Sequence, residues 1–176
     1  FGNWANSLKV NLISQLELLH LLMPHSREGA RVVMFAGGGT NGPVDYYSAY
    51  TLAKIASIKF CELLASEEPE MGFTILGPGW VRTKIHEETL RAGPQAARAN
   101  YQRTLEMLSG DQMVPMEQVL DWVDWIIEQP IKVVSGRNFS AAHDPLNNQG
   151  LVDALTSDRD LFKLRRFGNS NEWSDS

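Results

Sequence analysis

The sequence has one cysteine, no long apolar run and no cluster of basic residues. A lone cysteine cannot form an internal disulfide, and Cys61, inside an apolar helical segment, is predicted to be a small core residue. A membrane span needs about 20 consecutive apolar residues, and neither such a run nor a signal-peptide pattern is present, so we expect a cytoplasmic protein. The net charge is −5 and the Lys and Arg residues are scattered, which argues against nucleic-acid or membrane-surface binding.

Linkers, repeats and low-complexity segments are also lacking. The sequence therefore predicts one domain over residues 1–168 and a disordered polar tail over 169–176. Phe1 is not a methionine and is followed almost at once by a helical pattern, which favours a fragment of a longer domain. The triplet His86-Glu87-Glu88 lacks the H-E-x-x-H spacing of zinc enzymes, so it predicts a solvated helix start and no metal site.

Helical and strand patterns alternate in the first half of the chain. Apolar residues recur at helical spacing from about Trp4 to Met23, and Arg31–Phe35 is a short β-branched run typical of a buried parallel strand. A long helical pattern runs from Asp45 to about Ser66, and a second strand is predicted at Phe73–Leu76. This order predicts a βαβ unit, in which ligands bind beyond the carboxyl ends of the strands.

The long helix carries Tyr50 and Lys54 one turn apart on the same face. A free phenol titrates near pH ~10, and a neighbouring cation is one way to lower that pKa. The pair therefore suggests a proton donor and acceptor for interconverting a carbonyl and an alcohol. The alternative is a solvated helix face, because such pairs also arise by chance.

A glycine-rich loop, Gly37–Gly42, follows the first strand and formally matches G-x-G-x-x-G. We do not interpret it as a dinucleotide fingerprint, because Pro43 and two further residues still precede the helix and the acidic ribose-binding residue is missing. It is better interpreted as a wall beside Tyr50, with Gly37, Gly38 and Thr40 on the substrate side.

Taken together, these features resemble the C-terminal half of a short-chain dehydrogenase/reductase over about residues 4–144. The matching elements are Asn11-Leu12, the strand at 31–35, the glycine-rich loop, Tyr50-x-x-x-Lys54 and Pro78-Gly79-Trp-Val81-Arg-Thr83. The resemblance implies an α/β fold, a Rossmann-like parallel sheet flanked by helices, with the N-terminal half of the fold absent from this chain. It also implies NAD or NADP as cofactor and a small-molecule carbonyl or alcohol as substrate.

The resemblance assigns roles to individual residues. It makes Tyr50 the catalytic acid/base, Lys54 the group that lowers its pKa and holds the nicotinamide ribose, and Asn11 the holder of a water in the proton relay. On spacing alone, Asn11 would be an exposed polar residue. The positions matched to cofactor contacts are Lys54, Pro78, Gly79, Val81 and Thr83.

The resemblance also predicts the remaining segments and the assembly. Residues 84–115 correspond to a substrate-covering insertion and 133–139 to the last strand of the fold. The residue pattern itself, apart from the resemblance, predicts an amphipathic helix over 117–127 and a short helix packing over 160–166. A homodimer or homotetramer is expected, with Ile58 or Leu63 near the contact.

Two departures from the family pattern affect the functional prediction. The serine that binds the substrate oxygen is replaced by Ala36, Gly37 and Gly38, none of which has a hydroxyl. The first βαβαβ half, with its pyrophosphate-binding turn, is not in this sequence. An NAD(P)-dependent oxidoreductase is predicted, with the 176-residue chain inactive by itself; the alternative is a non-catalytic binding or regulatory protein of the same fold.

Overall fold

The computed structural model describes residues 1–110 and 113–166, and the tail predicted at 169–176 lies outside these ranges. The first helical region consists of α1 (Gly2–Leu8), a π-helical turn (Lys9–Ile13), α2 (Ser14–Leu22) and a 3₁₀ turn (Met23–His25). The predicted helix is therefore present but is widened around Asn11. The hydroxyl of Ser14 donates to the carbonyls of Lys9 and Val10, at 3.0 and 2.9 Å, and such side-chain bonds compete with regular helical ones.

Three parallel strands form the sheet, in the order β1-β2-β3. They are β1 (Arg31–Phe35), β2 (Gly72–Gly77) and β3 (Asn138–Ser140). The first two confirm the predicted strands. Phe35 lies opposite Leu76, and Leu76 lies opposite Phe139, so the carboxyl ends of the strands meet at one edge of the sheet.

Helix α3 (Ser48–Glu67) connects β1 to β2 and packs against β2. It begins later than the predicted Asp45 because Tyr46 has a positive φ of 63°, a backbone conformation that does not occur within a right-handed α-helix. Cys61 is fully buried beside Met34, as predicted, and burial raises the pKa of its thiol to about 12. Of the two residues expected near an oligomer contact, Ile58 is 3% exposed and packs in the core of its own chain, whereas Leu63 is 50% exposed. The oligomer contact itself stays a prediction.

Two helices, α4 (Ile85–Ala97) and α5 (Ala99–Ser109), lie within the predicted insertion. Gly93, with φ 77°, kinks α4 just before Pro94. Helix α6 (Met116–Glu128) then confirms the predicted amphipathic helix.

The region around the last strand differs from the prediction. Val133 and Val134 belong to a short helix, α7 (Ile131–Val134), and only residues 138–140 form a strand. Pro130 starts the helical turn and accepts a hydrogen bond from Val133 N, and Gly136 (φ 76°) then redirects the chain into the sheet. Both valines are buried. Their apolar character therefore correctly predicted burial, but it did not imply a strand.

The C-terminal segment is also not helical where a helix was expected, at 160–166. After α8 (Gln149–Ser157) the chain forms turns around the buried guanidinium of Arg137. Arg137 donates to the carbonyls of Leu155, Asp158 and Leu161. These carbonyls are therefore satisfied by a side chain and not by a continuing helix.

Apolar clusters cover both faces of β2, because successive side chains of a strand point to opposite faces. Leu76 joins a cluster with α6, α7, β3 and α8, whereas Phe73 and Ile75 join one with α2, α3 and β1. The sheet is thus flanked by helices on both faces, as in a Rossmann-like α/β fold. Within the described residues, no helix combines the length and apolar character needed to cross a bilayer.

Candidate active site

Tyr50 and Lys54 lie together near the start of α3, at the edge formed by the carboxyl ends of the strands. The Lys54 ammonium is 5.8 Å from the centroid of the Tyr50 ring. It also donates a hydrogen bond of 3.0 Å to the carbonyl of Phe35, the last residue of β1. The one-turn spacing in the sequence thus brings a cation and a phenol to the place where parallel α/β sheets bind ligands.

The electrostatics of the pair differ from the expectation that Lys54 lowers the pKa of Tyr50. Burial raises the pKa of Tyr50, with a smaller contribution from Tyr47, whose ring meets that of Tyr50 edge-on at 6.1 Å. Burial also lowers the pKa of Lys54, of which 9% is exposed. Desolvation disfavours the charged form of each group, so it raises the pKa of the phenol and lowers that of the ammonium.

The glycine-rich loop packs directly against the start of α3. A Cβ built on Gly37 would lie 2.4 Å from Tyr50 Oη. Gly39 has φ 103°, and a Cβ there would lie 2.4 Å from Thr51 Cγ2. Gly38 is exposed and has open space at its Cβ position, and Thr40 is half-buried. Of the two predicted substrate-side glycines, Gly37 is therefore the one that packs against Tyr50.

Asn11 lies in the π-helical turn, which packs against α3. Its amide donates to Ser7 O of its own helix at 3.1 Å. No hydrogen bond within residues 1–110 and 113–166 joins it to Tyr50 or Lys54. The water-holding role of Asn11 remains a prediction from the family resemblance.

The segment after β2 carries the residues matched to cofactor contacts. The parallel register places the end of β1, to which Lys54 is bonded, opposite Leu76, and Pro78 and Gly79 follow two and three residues later in the chain. Gly79 has φ 74°, and a Cβ there would lie 2.7 Å from Val114. Val81 is buried in the core, while Thr83 is exposed. The cofactor contacts of Lys54, Pro78, Gly79, Val81 and Thr83 therefore remain predictions from the family resemblance.

His86 contributes to this segment in a way that the sequence analysis missed. It was predicted to be a solvated helix start, but its ring is half-buried and stacks on Trp80 at 5.2 Å, and Nε2 lies 2.8 Å from Val81 O. Arg103 of α5 lies 5.7 Å from the Trp80 ring on the same segment. In the sequence, the only sign of this contact is that Trp80 and His86 are six residues apart. That spacing predicts a contact only if the chain is known to turn between β2 and α4.

A second missed contact joins the insertion to the loop before Tyr50. Arg98, between α4 and α5, donates to Tyr46 Oη at 2.8 Å and lies 4.3 Å from the centre of that ring. Asn100 also donates to Asp45 O at 3.3 Å. The predicted substrate-covering segment thus contacts the chain just before Tyr50.

Comparisons with known proteins agree with this architecture. The family model described as short chain dehydrogenase matches residues 2–93. No curated protein matches the sequence significantly. A short chain dehydrogenase/reductase from Saccharomyces cerevisiae has a similar structure, with 19% identity, a TM-score of 0.70 and coverage of 85% of this chain and 59% of the yeast chain.

Two further solved structures are similar. The KRED1-Pglu enzyme shares 25% identity with a TM-score of 0.65, covering 74% of this chain and 56% of that chain. A variant of actinorhodin polyketide ketoreductase, solved with NADPH, shares 15% identity with a TM-score of 0.63, covering 80% and 59%. This chain therefore spans between half and two thirds of each of these proteins. On the family match over more than half of its length, the chain belongs to the short chain dehydrogenase family.

Proposed function

We propose that this chain is the catalytic portion of an NAD(P)-dependent oxidoreductase that interconverts a carbonyl and an alcohol. The observation that carries the proposal is the Tyr50 phenol beside the Lys54 ammonium, at the carboxyl ends of the strands. Membership of the family supports the reaction class. One structural neighbour is named as a ketoreductase and was solved with NADPH, which supports a nicotinamide cofactor without deciding between NAD and NADP.

Tyr50 is proposed as the general acid/base. Because burial raises its pKa, the phenol is protonated at neutral pH and can donate its proton to the substrate oxygen. This protonation state suits reduction of a carbonyl, in which a negative charge develops on that oxygen. When bound, the nicotinamide supplies or accepts the hydride.

Lys54 is proposed to hold the nicotinamide ribose. Its ammonium has a hydrogen bond to Phe35 O and retains further donors for a ligand hydroxyl. Pro78, Gly79, Val81 and Thr83 are proposed to form the nicotinamide side of the cleft. The insertion carrying α4 and α5, which contacts Tyr46 through Arg98, is proposed to cover the substrate.

The test uses the full-length protein and a panel of aldehydes and ketones with NADH and NADPH. Tyr50→Phe should lower turnover at least ~10²-fold, the scale of general acid/base catalysis, because the acidic hydroxyl is lost. Tyr47→Phe is the matched control on the same helix start and should stay within about tenfold of the wild type. Lys54→Met should in addition weaken cofactor binding.

The alternative function, a non-catalytic binding or regulatory protein, is favoured by the lack of a hydroxyl at Ala36, Gly37 and Gly38, where the family pattern has its serine. Loss of one oxyanion donor typically costs ~10²- to 10³-fold in rate. Under this alternative the full-length protein binds NADH or NADPH but turns over no carbonyl of the panel. Unchanged turnover in Tyr50→Phe would overturn the catalytic role of that residue.

A further inference from the structure

Gly37 lies so close to the Tyr50 ring that a side chain at position 37 would collide with it. A Cβ at position 37 would lie 2.4 Å from Tyr50 Oη, and 2.7 Å from both Cε1 and Cζ of the ring. Ordinary contacts of a Cβ begin at about 3.4 Å. The reactive end of the phenol therefore occupies the space that any side chain at position 37 would need.

We infer that Gly37 is a positioning residue for Tyr50, and that its missing side chain is what allows the phenol to reach its present position. The catalytic consequence of this inference rests on the proposed function, in which Tyr50 is the general acid/base. The contact itself does not depend on any reaction.

The backbone at position 37 is held on both sides, so it cannot easily move away from the ring. Ala36 is buried, and its N–H donates to Leu76 O of β2 at 3.0 Å. On the other side, Gly39 lies close against Thr51 of α3. A side chain introduced at position 37 would therefore be accommodated by a movement of the Tyr50 ring.

The size of that movement follows from the distances. Relieving a contact of 2.4 Å to 3.4 Å requires a shift of about 1 Å at Oη. A misplacement of this size at a reacting group can cost ~10²-fold in rate. Tyr47, edge-on to the ring, and Lys54, over its face, limit the directions in which the ring can go.

This inference opposes the expectation from the family pattern. If Gly37 were only a lost donor, Gly37→Ser would restore a hydroxyl and raise the rate, by up to ~10²- to 10³-fold on the scale of one oxyanion donor. If Gly37 positions Tyr50, the same substitution lowers the rate. The sign of the change separates the two explanations.

The test compares Gly37→Ser and Gly37→Ala with Gly42→Ala in the full-length protein. Gly42 is in the same loop, but a Cβ there meets no atom within 4 Å. Both Gly37 variants should lower kcat by ~10- to 10²-fold with a much smaller change in KM, since the reacting group is displaced and not removed. Gly42→Ala should leave both constants near the wild-type values.

A second readout is independent of turnover. The ring carbons of tyrosine, labelled with ¹³C and assigned by the loss of one signal in Tyr50→Phe, report the pKa of Tyr50. Both Gly37 variants should move this pKa down towards its ordinary value, because the ring is pushed out of its half-buried position; Gly42→Ala should not. In the wild type, nuclear Overhauser contacts should join the Gly37 α-protons to the Tyr50 ring, and this measurement needs no variant to fold.

The outcomes are distinguishable from those of the proposed function. A protein without turnover on any carbonyl refutes the oxidoreductase proposal, while the NMR measurements still decide the role of Gly37. A rise in kcat for Gly37→Ser, or an unchanged Tyr50 pKa in both Gly37 variants, would overturn the inference. Absence of the Overhauser contacts in the wild type would overturn it as well.

Discussion

Strands β1 and β2 are neighbours in one sheet, yet β2 is buried along its length up to Gly77, whereas β1 is fully buried only at Met34. β2 has a strand on each side and helices over both faces. β1 pairs only with β2 within the described residues. Its last residue, Phe35, is 44% exposed.

The helices on the two sides of the sheet differ in the same way. α6 buries two tryptophans in an aromatic cluster with β3, in which ring centroids lie 5.3 to 5.7 Å apart. The helical region over residues 2–25 buries only Leu19. It leaves an apolar surface exposed, which we call the β1-side surface: Val10, Ile13, Leu18, Leu21 and Leu22.

This difference bears on function because the candidate site lies at the junction of the two regions. Lys54 is anchored to the end of β1, while Pro78 and Gly79 follow β2. Open strand edges and large exposed apolar surfaces are usually covered by further protein. The similar solved structures are longer than this chain, so those proteins contain additional residues that could occupy such a place.

The largest expected effect concerns the cofactor. We expect the 176-residue chain alone to bind NADH and NADPH more weakly than millimolar, at least ~10³-fold weaker than a typical micromolar cofactor site. It carries the residues proposed for the nicotinamide side but lacks the family's pyrophosphate-binding turn, and each lost charge-assisted hydrogen bond costs about 1.5 to 3 kcal/mol. Titration calorimetry with both cofactors, on this chain and on the full-length protein, is the measurement.

Micromolar binding to the chain alone would contradict this prediction. It would show that the Gly37–Gly42 loop holds a phosphate despite the residues that separate it from α3. The chain alone should also fail to turn over any carbonyl.

The next effect compares two tryptophans, one on each side of the sheet. Trp122 is fully buried, whereas Trp4 is 36% exposed and donates to Ser48 Oγ at 3.0 Å. Trp122→Ala should lower the free energy of unfolding by about 3 to 5 kcal/mol, the usual cost of removing a large core side chain. Trp4→Ala should cost about 1 kcal/mol, the worth of one hydrogen bond.

Urea unfolding of both variants, in the chain alone and in the full-length protein, checks this prediction. If the β1-side surface is covered in the full-length protein, the cost of Trp4→Ala should be larger there, while that of Trp122→Ala should not change. Equal costs at the two positions in the chain alone would mean that the two regions are equally well packed.

Much of the fold was predictable because its signals are local. The β-branched run ending at Phe35 and the apolar run at 73–76 each form the expected strand, since both are short, apolar and flanked by turn residues. Tyr50 and Lys54 share a face because helical spacing alone dictates it. The burial of Cys61 was likewise predictable from its place inside an apolar helical segment.

The failures come from interactions between distant residues. The direction of the pKa change at Tyr50 depends on burial by other elements, which no spacing reports. The turns at 159–163 depend on Arg137, whose guanidinium donates hydrogen bonds to carbonyls of residues up to 24 positions away. The contact of Arg98 with Tyr46 spans 52 positions and requires the insertion to fold back.

The smallest expected effect concerns Glu62, which joins α3 to the C-terminal segment. Its carboxylate is 2.9 Å from Lys59 Nζ and 2.8 Å from Arg165 Nη1, and its side chain is 15% exposed. Burial by itself would raise the pKa of Glu62, but hydrogen bonds from Lys59 and Arg165 outweigh it and hold this pKa below its ordinary value. Arg165 also pairs with Asp160, which fixes the segment after α8.

Glu62→Gln should therefore lower the free energy of unfolding at neutral pH by about 1 kcal/mol, because the partly exposed Arg165 weakens the pair through solvent screening. Glu67→Gln, exposed on the same helix, is the matched control and should cost little. Because the pKa of Glu62 is depressed in the folded state, Glu62 binds fewer protons in the folded than in the unfolded protein. The stability that ionised Glu62 contributes is therefore fully present above its unfolded pKa near 4.5. It is lost as the pH falls through the folded-state pKa. Urea unfolding as a function of pH should thus show wild type and Glu62→Gln converging in acid, and a constant difference between them would exclude ionised Glu62 as the cause.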